Sequence, residues 1–178
     1  MAFPIIVASG KNAAMAHHQP GERALRAGDP VIVDMGASLD GYASDLTRSF
    51  FVGPKPTAKY QEIFDLVHKA HNAALAGLRA GVTGKEADSL ARDVIADGGY
   101  GEAFGHSLGH GVGLDVHEGP SLSQTFGVQA LESGAVVTVE PGIYLPDWGG
   151  VRIEDLVQIT DDGAKSISQC PKIPVIRG

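Results

Sequence analysis

A single cysteine, Cys170, excludes an internal disulfide and fits a reducing compartment. No apolar run approaches the roughly 18 residues of a membrane span. The opening MAFPIIVASGK lacks a basic region, and Pro4 interrupts its apolar stretch, so it reads as a strand rather than a signal peptide. Basic clusters are missing too. With 14 Lys+Arg against 21 Asp+Glu, the formal charge of −7 argues against a nucleic-acid partner. These absences predict a soluble, cytoplasmic chain with neither membrane nor nucleic-acid contacts. Glycine, by contrast, is plentiful at 24 residues, in a composition otherwise ordinary for a globular protein (43% apolar, 20% charged). That excess points to tight turns and close backbone approaches. The length suits one domain with a real core, spanning residues 1–178.

The stretch Val31–Phe51, VIVDMGASLDGYASDLTRSFF, carries the most information. Asp40-Gly41 is a two-residue type I′ turn signal between runs that alternate apolar and polar, so a hairpin is expected. Leu39 then faces Tyr42, and all facing positions sum to 81: Asp34 faces Thr47 and Gly36 faces Asp45. Asp34 and Gly36 share a face because strand side chains alternate. Asp34 and Asp45 are therefore diagonal neighbours, with β-carbons roughly 7 Å apart or less. That separation suits two carboxylates flanking cations that lie roughly 3.5–4 Å from each other. A polar face in water is the plainer reading, but Val31, Ile32, Val33, Leu46, Phe50 and Phe51 mark these strands as buried.

A second carboxylate pair follows the same logic. Ala135–Tyr144 and Val151–Thr160 read as strands joined by a six-residue loop. In the latter, Val151, Ile153, Val157 and Ile159 mark the core face, and Asp155 falls on that apolar side, where it needs a partner. Glu140 shares a face with Thr138 and Gly142. If facing positions sum to 294, Glu140 lies opposite Glu154, on the face with Arg152. The loop alone does not fix this register. It is adopted because two like charges side by side on a packed sheet are unfavourable unless a cation lies between them. A salt bridge from Arg152 is the alternative, and one arginine offsets only part of two glutamates.

Between the pairs the period changes from two to 3.6. Tyr60, Ile63, Phe64, Val67, Ala70, Ala74 and Leu78 form the stripe of a helix over Tyr60–Ala80, stopped by Gly81. Thr83-Gly84-Lys85-Glu86 is a capping box opening a second helix over Thr83–Ala96. Each helix is expected to lay one face on a sheet. Pro4–Ser9 reads as a short strand, Lys11–Asp29 and Ser121–Glu132 as loops, and Ala164–Ser168 as a weak last strand.

The seven histidines differ in weight. His68 and His71 sit off the helix stripe and read as a solvated face; His17 and His18 read as loop residues. His106, His110 and His117 stand in GEAFGHSLGHGVGLDVHEGP, where the surrounding glycines permit close approach of backbone or ligand. Two aspartates, two glutamates and one histidine form an oxygen-rich donor set. It suits borderline divalent ions better than a closed zinc site. Two such ions acidify a bridging water and polarise a carbonyl, which is hydrolytic chemistry.

The ordered motifs DMGASLDGYASDLTRSF, GHGVGLDVHE, VEPGIY and GGVRIED resemble those of the pita-bread metallopeptidases, from about Phe3 to the end of the chain. HSLGHGVGLDVHEGP and VEPGIYLPDWGGVRIEDLV look most like the Xaa-Pro aminopeptidase and prolidase branch. The resemblance implies an α+β fold: a curved, mostly antiparallel sheet with helices on its outer face. It implies two divalent cations, Mn first, with Co, Zn or Fe as alternatives. Asp34 would bind one, His110 and Glu140 the other, and Asp45 and Glu154 would bridge both. Glu154 would also serve as the base; His17, His106 and His117 would be catalytic too and line the substrate pocket with Tyr144 and Arg152, His106 and His117 hydrogen-bonding the scissile amide and the intermediate. The implied substrate is a small peptide with proline in second position, and a homodimer is left open. Methionine aminopeptidase activity is a second reading, although Ala16 stands where those enzymes usually carry a cysteine. A non-catalytic binding module or an inactive fragment is a third. Relatives of this branch generally carry an N-terminal domain and a helix pair before the first catalytic strand. Both are expected to be absent here, leaving the first half incomplete and one sheet face uncovered.

Overall fold

The computed structural model describes residues 1–175. Strands β1 (Ile6–Ser9), β2 (Pro30–Met35) and β5 (Leu46–Phe51) form an antiparallel sheet in the order β1-β2-β5. Between β2 and β5, the two-residue strands β3 (Ser38–Leu39) and β4 (Tyr42–Ala43) carry the hairpin tip. Asp40 and Gly41 both take positive φ, 51° and 90°, as a type I′ turn requires. The register is the expected one from tip to base: Leu39 faces Tyr42, Asp34 faces Thr47 and Pro30 faces Phe51. The hairpin is not continuous, however. At Gly36–Ala37 and Ser44–Asp45 the ladder gives way to a bond from Ser44 N to the Ala37 carbonyl. A side chain at Gly36 would meet the Ser44 carbonyl at 2.1 Å, so only glycine fits where the strands pinch.

Helices α1 (Ala58–Gly77) and α2 (Gly84–Asp97) follow. The capping box opens α2 as expected: Thr83 Oγ1 accepts from Glu86 N, and the Glu86 carboxylate accepts from Thr83 N. Helix α1 ends three residues earlier than the Gly81 signal suggests. His71 corrects the solvated-face reading. It follows Val67 by one helical turn and therefore belongs to the buried stripe, with 0% exposure.

The second half contains β6 (Gly109–Gly111), β7 (Glu118–Leu122), β8 (Val136–Val139), β9 (Gly142–Leu145), β10 (Gly149–Arg152), β11 (Asp155–Ile159) and β12 (Ala164–Ser166). They make a five-stranded sheet, β12-β11-β8-β6-β7, and a ribbon, β9-β10. Positions summing to 294 face each other in both, as Thr138 faces Leu156 and Gly142 faces Arg152. The two long strands expected here are each broken, at Glu140-Pro141 and Ile153-Glu154. Pro141 has no N–H to contribute to the ladder, so the pairing lapses there.

The main core is the α1 stripe and the apolar face of α2 packed on Val137, Val139, Val151, Ile153, Val157 and Ile159. Asp155, expected on this apolar side, has its partner: Arg48 Nη2 at 2.7 Å, with Lys172 Nζ at 2.5 Å. The sheet β1-β2-β5 carries an apolar groove of about 740 Å³ lined by Val7, Val31, Val33 and Phe50. Among the described residues no helix is long and apolar enough to cross a membrane.

Candidate active site

The carboxylates expected to act together stand where ladders stop. Asp34 is near the end of β2, Asp45 just precedes β5, Glu140 just follows β8, and Glu154 just precedes β11. At a break the backbone turns out of the sheet, and side chains from separate strands converge. Glu154 N donates to the Thr47 carbonyl at 3.1 Å, joining the first sheet to the second. Ser49 reinforces the seam: its Oγ donates to the Arg152 carbonyl at 2.8 Å and accepts from Arg152 N at 2.9 Å.

Asp34, Asp45 and Glu154 are buried, and one carboxylate oxygen from each lies within 4.8 Å of the other two. His110 approaches from β6. Its Nδ1 donates to the Gly111 carbonyl at 3.0 Å, which turns the Nε2 lone pair toward Glu140 Oε1 at 3.3 Å and Asp45 Oδ2 at 3.8 Å. A lone pair facing carboxylate oxygens needs a proton or a cation between them. The His110 pKa is raised because the hydrogen bond to Glu140 and the charges of Glu140 and Asp45 outweigh burial.

Charge is out of balance here. Among the described residues the one fixed cation bonded to these carboxylates is Arg152, whose Nη2 donates to Asp34 Oδ2 at 2.7 Å. The arginine thus pairs with an aspartate, not with the glutamates, correcting the alternative raised for it. Burial, then the charges of Asp34 and Glu140, pushes the Asp45 carboxyl up to about 7. Burial and the neighbouring carboxylates raise Glu154 well above the ordinary range. Burial also raises Asp34 in spite of Arg152. Glu140 goes the other way. Its burial is outweighed by the hydrogen bond to His110 and by His106 and Arg152. Asp34 Oδ1 is buried with no hydrogen-bond partner. An orphaned carboxylate oxygen beside two proton-hungry carboxylates is what a divalent-cation site looks like without its ions, so the donor set fits the metal group.

The cavity over this cluster measures about 380 Å³. Its wall includes His17, Asp34, Asp45, His106, His110, His117, Glu140, Arg152 and Glu154, and Phe3, Pro4 and Ile6 supply an apolar side. Tyr144 stands behind the wall. Its hydroxyl accepts from Arg152 Nη1 at 2.9 Å and donates to His106 Nε2 at 2.8 Å, while His106 Nδ1 donates to the Ser107 carbonyl at 2.7 Å. Burial lowers the His106 pKa, consistent with a neutral ring. Both His106 nitrogens are thus occupied within the protein. The His117 ring lies 4.1 Å from that of His110, centroid to centroid, and burial and His110 lower its pKa. His117 and His17 are the exposed histidines of the wall.

Two threonines placed by the registers have no role at the site in the sequence reading. Thr47 Oγ1 donates to Glu154 Oε2 at 2.5 Å and accepts from Arg152 Nε at 3.0 Å. Thr138 Oγ1 donates to Glu140 Oε1 at 3.0 Å and accepts from His110 N at 3.0 Å. Each has a signal, since the registers put Thr47 opposite Asp34 and Thr138 on the Glu140 face.

Comparison with known proteins identifies the family and the fold. The chain is 47% identical over 168 residues to the Xaa-Pro dipeptidase of Pyrococcus horikoshii, covering 94% of this chain and 47% of that protein. Among solved structures, the Xaa-Pro dipeptidase from Bacillus anthracis superposes with a TM-score of 0.95 at 48% identity, over 99% of this chain and 49% of that one. The prolidase from Pyrococcus furiosus superposes with a TM-score of 0.93 at 46% identity, over 96% and 50%. The fold is therefore the pita-bread fold, and the chain spans about half the length of these relatives. The profile of metallopeptidase family M24 matches residues 1–161, and with these identities it shows that the chain belongs to that family.

Proposed function

We propose that residues 1–178 form the catalytic domain of a dinuclear-metal exopeptidase that hydrolyses the bond between an N-terminal residue and proline. The observation that carries this reading is the buried cluster of Asp34, Asp45 and Glu154, with His110 and Glu140 closing it from the second sheet. In the proposal, Asp34 would hold one cation, His110 and Glu140 would hold the other, and Asp45 and Glu154 would serve both. Divalent ions held there, Mn first, would supply acidification of a water and polarisation of the substrate carbonyl.

The chain's own residues do the rest. Thr47 fixes one oxygen of Glu154, which leaves the carboxylate oriented to take the proton of the attacking water and return it to the departing proline nitrogen. His117, exposed on the pocket wall, is placed to donate to the developing oxyanion. His106 has both ring nitrogens engaged, so its part is to line the pocket and hold the Tyr144 hydroxyl. Arg152 is shared between Tyr144 and Asp34 and couples the substrate wall to the metal side. Phe3, Pro4 and Ile6 offer apolar surface suited to a pyrrolidine ring, and His17 stands at the same wall.

The relatives named as Xaa-Pro dipeptidases and prolidases support proline at the second position. Turnover of Mn-loaded protein on an Xaa-Pro dipeptide, an Xaa-Pro-Yaa peptide and a Met-Ala peptide tests the reading. Hydrolysis of a proline substrate is the expected result. Cleavage of the Met-Ala peptide alone would favour a methionine aminopeptidase. A folded, metal-replete chain inactive on all three would favour a binding module.

A further inference from the structure

Behind the substrate wall, helix α2 carries two charged side chains that the proposed chemistry does not use. Asp88 is fully buried, with 0% exposure. Arg92, one turn on, grips it with two bonds, Nε to Oδ2 at 2.6 Å and Nη2 to Oδ1 at 3.0 Å. The pair is also wired to the segment carrying His106. Arg92 Nη1 donates to the Phe104 carbonyl at 2.9 Å, and Arg92 Nη2 donates to the His106 carbonyl at 2.7 Å. Asp88 Oδ1 accepts from Leu108 N at 2.9 Å, and Asp88 Oδ2 accepts from Gln124 Nε2 at 2.9 Å. The guanidinium stacks on the Phe104 ring at 4.3 Å, and that ring meets the His106 imidazole edge-on at 5.1 Å. Three backbone groups in the irregular segment Phe104–Leu108 thus hang from one ion pair on a rigid helix.

We propose that Asp88 and Arg92 are positioning residues that set the His106 ring, and through it the Tyr144 hydroxyl, against the substrate. The geometry is specific to arginine. A planar fork reaches two carbonyls and a carboxylate together, whereas a lysine ammonium in the same place serves fewer of them. The ends of the segment are also tied by Phe104 N to the Gly101 carbonyl at 3.2 Å and Glu140 N to the Leu108 carbonyl at 2.8 Å, but the His106 backbone between them is held by Arg92. A shift of the ring by a fraction of an ångström then reaches the reacting groups through Tyr144 and Arg152.

The inference rests on the exopeptidase reading above, and two measurements separate their failures. The first is a double-mutant cycle on the Mn-loaded full chain with an Xaa-Pro dipeptide, using Arg92→Lys, His106→Ala and both together, each checked by thermal melting. Arg92→Lys is expected to lower kcat/KM about tenfold, mostly in kcat, with metal content unchanged. In the His106→Ala background the same change is expected to add less than about twofold. An equal loss in both backgrounds, or no loss, overturns the clamp. Asp88→Asn, which loses the charge but keeps the shape, is expected to behave in the same way. The second measurement needs no activity: the imidazole resonances of His106 in histidine-labelled protein, assigned with His106→Ala. They are expected to move in Arg92→Lys while those of His18 stay in place. Unmoved His106 resonances overturn the clamp. A wild-type chain with no turnover but with moved resonances overturns the exopeptidase reading and leaves the clamp standing.

Discussion

His71 provides a test of the fold that can be worked through in numbers. It is fully buried on α1, and neither ring nitrogen has a hydrogen-bond partner. Its Nε2 lies 3.5 Å from Asp155 Oδ2, but Asp155 already accepts from Arg48, Lys172 and Ser166. Burial outweighs the attraction of Asp155 and depresses the imidazole pKa to about 4, so the contact is not an ion pair at neutral pH. The unfolded chain has the ordinary value of about 6.5. Between these two values the unfolded chain binds a proton that the folded chain refuses. Stability from this group is therefore full above the unfolded pKa and is lost as the pH falls toward the folded one. At about pH 5 the loss is about 2 kcal/mol.

His71→Leu removes both the titration and the two unpaired nitrogens. Asp45 works in the opposite direction: its raised pKa means the metal-free folded chain holds a proton that the unfolded chain releases, so its contribution falls as pH rises toward 7. The two effects separate when wild type and variant are compared pairwise. Urea unfolding of chelator-treated protein at about pH 7.5 and about pH 5 is the assay. Relative to wild type, the variant is expected to be about 2 kcal/mol more favoured at the lower pH than at the higher. The same difference at both pH values would refute a buried, neutral His71.

Three further outcomes are expected. Gly36→Ala puts a methyl group 2.1 Å from the Ser44 carbonyl and 2.5 Å from the Phe3 ring; it should cost about 1–3 kcal/mol by thermal or urea unfolding. Thr83→Ala deletes the hydroxyl half of the capping box, leaving the backbone N–H of that position to donate to the Glu86 carboxylate, and should cost about 1 kcal/mol in urea unfolding, with metal content unchanged. His117→Ala should lower turnover roughly 10²-fold and leave the bound metal in place, and unchanged turnover would remove this histidine from the chemistry.

The first strand register is legible in the sequence because its turn sets it locally, whereas the second is chosen on the like charges of Glu140 and Glu154. A turn that demands positive φ at two residues fixes Asp34 opposite Thr47, and the alternation of Val151, Ile153, Val157 and Ile159 fixes which face Glu154 takes. The breaks at Gly36 and Glu140-Pro141 are less visible. Alternation continues through them, and only the missing N–H of Pro141 and the tight contact at Gly36 reveal them. Polarity misplaces His71 when it is weighed above helical position. A histidine one turn from Val67 and three residues from Ala74 lies on the buried stripe whatever its chemistry. That the two carboxylate pairs meet is a long-range fact: neither register contains it, and only the motif resemblance implies it. The Asp88–Arg92 clamp leaves no mark in the sequence at all. An i, i+4 acid–base pair on a helix is an ordinary surface pattern, and only the chain folding back at Phe104–Leu108 gives it partners.

Buried oxygens that need cations stand at the centre of the site, and elemental analysis of the reconstituted chain measures that need most directly. Wild type dialysed against Mn at neutral pH and freed of excess metal should retain two ions per chain. Asp45→Asn and Glu154→Gln, which on the proposed reading each remove a charge serving both ions, should retain none. A folded wild type holding no metal, or variants holding as much as wild type, would contradict the site.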